Sequence, residues 1–156
     1  MMTGSESTLS GLSAALTFDH ARLETCGRHA LSLLHCAEED ACRASWTIFR
    51  KRLFAHLEAE EKWILPEFEA ARPDACAAVR AGHARIRHAM EKVGASLQSG
   101  APDEHTLREV LDMLVAQWRF EESELYPWSE AAIDPRHSRA VLEQLEAANL
   151  DGEGGT

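Results

Sequence analysis

The sequence predicts an all-α protein, an up-down-up-down antiparallel four-helix bundle with a short extra C-terminal helix. Three observations predict it. Apolar residues make up 45% of the 156 positions, while β-branched runs that mark strands are missing and only five prolines and nine glycines interrupt the chain. Apolar positions recur at helical spacing through most of its length. The third observation is a phrase written twice, His56-Leu-Glu-Ala-Glu60-Glu61-Lys-Trp-Ile-Leu-Pro66 and Gln117-Trp-Arg-Phe-Glu121-Glu122-Ser-Glu-Leu-Tyr-Pro127, 61 positions apart. A lone histidine precedes each copy at similar distance, His20 by 36 residues and His83 by 34, so the chain reads as a duplicated helical hairpin.

The elements follow in order. Residues 1–10 read as a disordered N-terminus, 11–150 as the bundle and 151–156 as a disordered tail. The first helix runs from about Thr17 to about Glu39 with Leu23, Leu31 and Leu34 among its apolar positions. The second carries Trp46, Phe49, Leu53, Leu57 and Ile64 toward Arg72, and Pro66 should kink or end its regular turn. Pro73 stops that helix and Asp74 is the expected N-cap of the third, which presents Val79, Ile86, Met90, Val93 and Leu97. Gln98-Ser-Gly-Ala-Pro102 is the clearest loop, and Asp103 should cap a fourth helix running through Leu107, Leu111, Leu114 and Trp118 to Pro127. Asp134-Pro135 introduces the last helix, with Val141, Leu142 and Leu145. Short connections between long helices favour antiparallel neighbours.

Composition narrows the function. A formal charge of −10, from 26 acidic and 16 basic side chains, gives no face a dominant basic field and argues against nucleic acid. No stretch reaches the 18 or more apolar residues of a membrane span, and the first residues lack the parts of a signal peptide, so the expected compartment is the cytoplasm. Cys26, Cys36, Cys42 and Cys76 form no C-x-x-C pair and read as small buried hydrophobes. A protein partner or a homodimer is left open.

The repeat carries the chemistry. His56 and Glu60 stand one turn apart, about 40° in angle and about 6 Å in rise, so both can reach one point beside the helix; Gln117 and Glu121 repeat the relation. With His20 and His83 they offer three imidazoles, two carboxylates and one amide, a set that suits iron, manganese or zinc. An isolated His-x-x-x-Glu is usually a surface pair, and only recurrence lifts these residues above that reading. Glu61 and Glu122 turn about 100° away and read as solvated more readily than as partners of ligand histidines. Tyr126 and Trp118 read as core, and His29, His35, His88, His105 and His137 as structural or solvent-facing.

The motifs Asp19-His20-x-x-Leu23, His56-x-x-x-Glu60-Glu61-x-x-x-x-Pro66, Gly82-His83-x-x-Ile86 and Glu121-Glu122-x-x-Leu125-Tyr126-Pro127 together resemble the hemerythrin-like (HHE cation-binding) domain family from Phe18 to Pro127. The resemblance implies a four-helix bundle with a non-haem dinuclear iron centre. It implies that His20 and His56 hold one iron, His83 and Gln117 the other, and that Glu60 and Glu121 bridge. Gln117 stands where family members usually carry histidine, and an amide oxygen is a weaker donor, so the second position is expected to be weak, open or filled by manganese or zinc. Arg87 replaces the second helix-three histidine of the family's oxygen carriers, which disfavours reversible oxygen carriage. The expected function is a protein that binds or reacts with O2, peroxide or NO as sensor, scavenger or oxidase. The alternative is a single-metal (iron or zinc) sensing module acting through a protein partner, and a metal-free helical interaction domain is the third reading.

Overall fold

Helix α1 (Leu12–His35) starts five residues earlier than the apolar pattern suggested. Gly11 has no side chain with which to cap it; instead Glu130, distant in sequence, accepts the N–H of Ser13 at 2.8 Å. The helix ends where Ala37 takes φ 58°, and the N–H groups of Ala37 and Glu38 close back on Leu34 and Leu33 at 3.0 and 2.9 Å. A left-handed alanine costs about 1–2 kcal/mol, and those two bonds offset it. This computed structural model describes residues 11–153, with side chains to 150, and among them there is no strand. The disorder expected of 1–10 and 154–156 lies outside the described residues, whereas the backbone of 151–153 continues the last helix.

Helix α2 (Glu39–Ala59) runs without a break through a π-helical turn, Glu60–Ile64, into α3 (Leu65–Ala71). Pro66 sits in the first turn of α3 and has no N–H to give, and its ring would press on the carbonyl four residues back. The wider turn relieves that clash, so the expected kink is realised as a π-bulge. Helix α4 (Pro73–Gln98) takes Pro73 at its first position with Arg72 as N-cap, so Asp74 lies inside the first turn, where its charge faces the helix dipole, and is not the cap. Asp103 does cap α5 (Glu104–Phe120), accepting the N–H groups of His105 and Thr106 at 3.0 and 3.4 Å. A second π-helical turn, Glu121–Leu125, leads into α6 (Tyr126–Ala132). The last helix, α7 (Pro135–Glu153), is 19 residues long and not short; Asp134 starts it by accepting the N–H of Arg136 at 2.8 Å.

Packing closes a ring. Helix α1 lies against α2, α2 against α4, α4 against α5 and α5 against α1, while α7 covers α2 and the first π-turn. The interior divides into two apolar clusters. One gathers Leu23, Phe49, Leu53, Ile86, Met90, Leu111 and Leu114; the other gathers Leu16, Ile64, Leu65, Phe68, Val79, Leu125 and Val141. On every wall the polar candidates fall between them: His20 between Leu16 and Leu23, His83 between Val79 and Ile86. Cys42 and Cys76 are buried as expected, but Cys36 is exposed at the end of α1. No described helix is long and apolar enough to cross a membrane.

Candidate metal centre

Seven polar side chains are buried in that middle layer: Asp19, His20, His56, Glu60, His83, Gln117 and Glu121. A buried ion costs several kcal/mol unless something compensates it, so the layer needs an explanation. Its tightest part is His20, His56, Glu60 and Glu121, whose ligand atoms all lie within 4.8 Å of one another and could hold a metal ion. The Nε2 atoms of His20 and His56 are 3.0 Å apart, and Glu60 Oε1 is 2.9 Å from His56 Nε2. Glu121 reaches in two directions. Its Oε1 lies 3.7 Å from His20 Nε2, while its Oε2 lies 3.2 Å from His83 Nε2 and accepts an N–H of Gln117 at 2.9 Å.

Each histidine is aimed by a carboxylate on a different helical segment. Asp19 Oδ2 sits 2.7 Å from His56 Nδ1, Glu61 Oε1 2.9 Å from His83 Nδ1 and Glu122 Oε1 3.4 Å from His20 Nδ1. With Nδ1 as the donor, each Nε2 presents a lone pair to the centre. Glu61 and Glu122 are therefore not solvated bystanders. One helical step is about 100°, which turns each of them from the metal-facing side to the neighbouring helix, where a histidine stands. Arg87 in turn grips Glu61 with two N–H groups, and Asn149 of α7 donates to Asp19 Oδ1 at 3.4 Å. Asp19 was visible in the sequence only as the neighbour of His20, because nothing in a linear motif shows that it serves the histidine of the next helix.

The electrostatics of the cluster favour positive charge at its centre. Burial opposes charge on His56, yet the carboxylates of Glu60 and Asp19 outweigh it and carry its pKa up to about 10. Burial likewise opposes charge on His83, and Glu121, Glu61 and Glu60 raise it to about 9. Burial and the neighbouring Glu121 push Glu60 up, whereas at Glu121 burial is outweighed by hydrogen bonds from His20 and His83, which hold it low. Two carboxylates this close cannot both ionise unless positive charge lies between them. Both oxygens of Glu60 are fully buried; Oε2 has no hydrogen-bond partner among the described residues, and Oε1 meets only the imidazole nitrogens of His56 and His83. A buried carboxylate with an unpartnered oxygen facing imidazole nitrogens is the arrangement a divalent ion would complete in place of their protons, so the donor set fits a metal.

The six expected residues do not contribute alike. His20, His56, Glu60 and Glu121 meet at one point, and His83 and Gln117 stand on the far side of Glu121. Gln117 shows its amide nitrogen to Glu121 and its oxygen to Gly82, where an added Cβ would overlap the amide. For that oxygen to become a donor the amide must turn over. Tyr126, read from the sequence as core, is indeed fully buried, but its hydroxyl lies within the cluster, 2.6 Å from His20 Nε2. Trp118 does pack as expected, stacking on the His20 ring at 4.9 Å. His29, His35, His88 and His105 are exposed and His137 pairs with Glu67 at the surface, so none joins the centre.

No curated protein and no solved structure matches the chain. The family model of the hemerythrin HHE cation-binding domain matches residues 12–129, a span that contains all six candidates and both π-turns. The chain thus belongs to the hemerythrin HHE cation-binding domain family and carries within its helical bundle a buried histidine–glutamate cluster that could bind metal.

Proposed function

We propose that this protein is a non-haem dinuclear iron protein that binds or reacts with O2, peroxide or NO, as sensor, scavenger or oxidase. The carrying observation is the two-faced placement of Glu121: one oxygen toward His20, the other toward His83 and Gln117. A carboxylate so shared supports bridging between two ions, and Glu60 Oε1, 2.9 Å from His56 Nε2 and 3.9 Å from His83 Nε2, runs parallel to it. In this reading His20 and His56 hold one iron and His83 and Gln117 the other, with manganese or zinc able to fill the weaker position. The short connections at 36–38, Arg72 and 99–103 support an up-down-up-down course for the four walls. Four free cysteines fit a reducing, cytoplasmic setting.

Ferrous iron supplies redox change and open coordination when bound. The chain's own residues do the rest. Asp19, Glu61 and Glu122 fix the imidazoles, and the two apolar clusters exclude water above and below. Gln117, a weak donor, leaves room on its side, where it lines a surface cavity of about 300 Å3 with Gly82, Arg85, Met113 and Phe120, the side from which a small molecule would approach. Glu60, whose carboxyl favours its proton, can yield that proton as positive charge enters.

One observation favours the alternative, a single-metal sensing module acting through a protein partner. The tightest donor set contains neither His83 nor Gln117. Anaerobic loading with ferrous iron followed by NO titration separates the readings. The dinuclear protein takes up NO in proportion to bound iron, and Gln117→His tightens the second ion and slows or alters uptake. Iron that binds but ignores NO, O2 and peroxide would sink the reactive reading.

A further inference from the structure

The Tyr126 hydroxyl has three partners, and all three are metal-facing atoms. It lies 2.6 Å from His20 Nε2, 3.2 Å from His56 Nε2 and 3.2 Å from Glu121 Oε1. A phenol has one proton, so it can donate to only one of these three atoms. The spacings have a simpler meaning. Donors bonded at about 2.1 Å to one ion stand roughly 3 Å apart along an edge of its coordination polyhedron. The His20–His56 separation of 3.0 Å and the His56–Glu60 separation of 2.9 Å are of that size, and the hydroxyl continues the same figure.

The backbone explains how it gets there. On a regular α-helix Tyr126, five residues after Glu121, would point about 140° away from it. The π-turn closes with the N–H of Tyr126 on the carbonyl of Glu121, which brings residue i+5 back over residue i. The repeat adds a comparison internal to the chain. The first π-turn ends the same way, N–H of Leu65 on the carbonyl of Glu60, but the side chain delivered there is an apolar leucine. The second copy therefore lacks the imidazole of the first and has gained a phenol, whose ring stacks on His20 and whose hydroxyl also lies against His56.

We infer that Tyr126 is a ligand of the metal held by His20 and His56, a phenolate oxygen completing that position. This rests on the metal-binding reading above. On coordination the phenol O–H bond breaks, its proton leaves to buffer, and the freed oxygen pair forms the metal bond with no change in the oxidation state of the metal. The two donor groups are then unlike: the His20–His56 group would include a phenolate, while the His83–Gln117 group has no such oxygen, and its Gln117 lines the adjoining surface cavity.

The test is to load the wild type and Tyr126→Phe with ferrous iron, admit air, and record metal content, visible absorption and resonance Raman spectra excited in the visible band. The expected result is a phenolate-to-iron charge-transfer band with tyrosine ring modes in the wild type. Tyr126→Phe, folded by circular dichroism and still holding iron through its histidines and carboxylates, lacks both. Should that variant shed its iron, the wild-type ring modes decide alone. A wild type that holds iron without those modes, or a variant that keeps the band, overturns the ligand while leaving the metal site standing. A wild type that holds no iron overturns the metal-binding reading itself and this inference with it.

Discussion

At the scale of residues, direction is supplied from across a helix interface. Asp19 on α1 serves His56 on α2, Glu122 serves His20, and Glu61 serves His83 on α4, so three of the four walls each orient a neighbour's imidazole. Glu61 is the most heavily committed of them. Burial opposes its charge, but His83 and Arg87 together hold its pKa down at about 2. Removing that charge should matter locally. In Glu61→Gln the amide can accept from His83 but no longer polarises it, and affinity at the His83 position should fall about 10- to 100-fold with the fold intact. Chelator competition measures this; equal weakening of every ion, or none, would contradict it. These partners were hidden in the sequence for a definite reason. Ligands repeat at one-turn spacing within a helix and so leave a linear signal, whereas an orienting carboxylate is a neighbour only after helices pack.

At the scale of elements, the two π-turns are what the repeat encodes and what regular helical geometry misreads. His56 and Glu60, like Gln117 and Glu121, sit on ordinary helix before the turn, which is why their shared face was legible. Everything after the turn is rotated, and Tyr126 is the casualty, placed in the core by pattern and beside the histidines by the π-turn. The prolines at 66 and 127 were the visible hint, since a wide turn is one way to accommodate a missing N–H. Inserting an alanine after Ser123 should put Tyr126 six residues after Glu121 and swing it away by roughly 100°. The expected outcome is a folded protein of lower melting temperature, because Leu125 and Ser129 also leave their buried positions, with the tyrosine fluorescence no longer quenched on iron loading. An unchanged melt and unchanged quenching would mean that the π-turn does not set the side chain. Helix limits were read less well where caps are tertiary: α1 begins early because Glu130 serves its first turn, and no local residue signals that.

At the scale of the whole molecule, a metal-free bundle carries protons where the proposed cations would sit. Folding raises His56 to about 10 and His83 to about 9 from an ordinary 6.5, so the folded state binds more protons than the unfolded chain between these values. The stability they contribute is fully present below about pH 6.5 and is lost as pH rises through 9 and 10. Thermal melts of the metal-free protein should thus show Tm falling from pH 6.5 toward 9, and a flat or rising Tm would refute the buried charge balance. In the proposed reading, metal takes the place of those protons. Loading near neutral pH should release protons, flatten the decline and add about 2.7 kcal/mol per site at metal a hundredfold above its Kd. Helix α7 belongs to the same balance, because Asn149 holds the Asp19 carboxylate that faces His56.

The most direct measurement is the number of irons per chain, by elemental analysis of protein loaded anaerobically with ferrous iron and freed of excess. Two irons are predicted, falling to one or none when Glu121, whose oxygens face both donor groups, is changed to alanine. A wild type that holds one ion, whatever the iron supplied, would contradict the dinuclear account and leave a single site at His20, His56, Glu60 and Glu121.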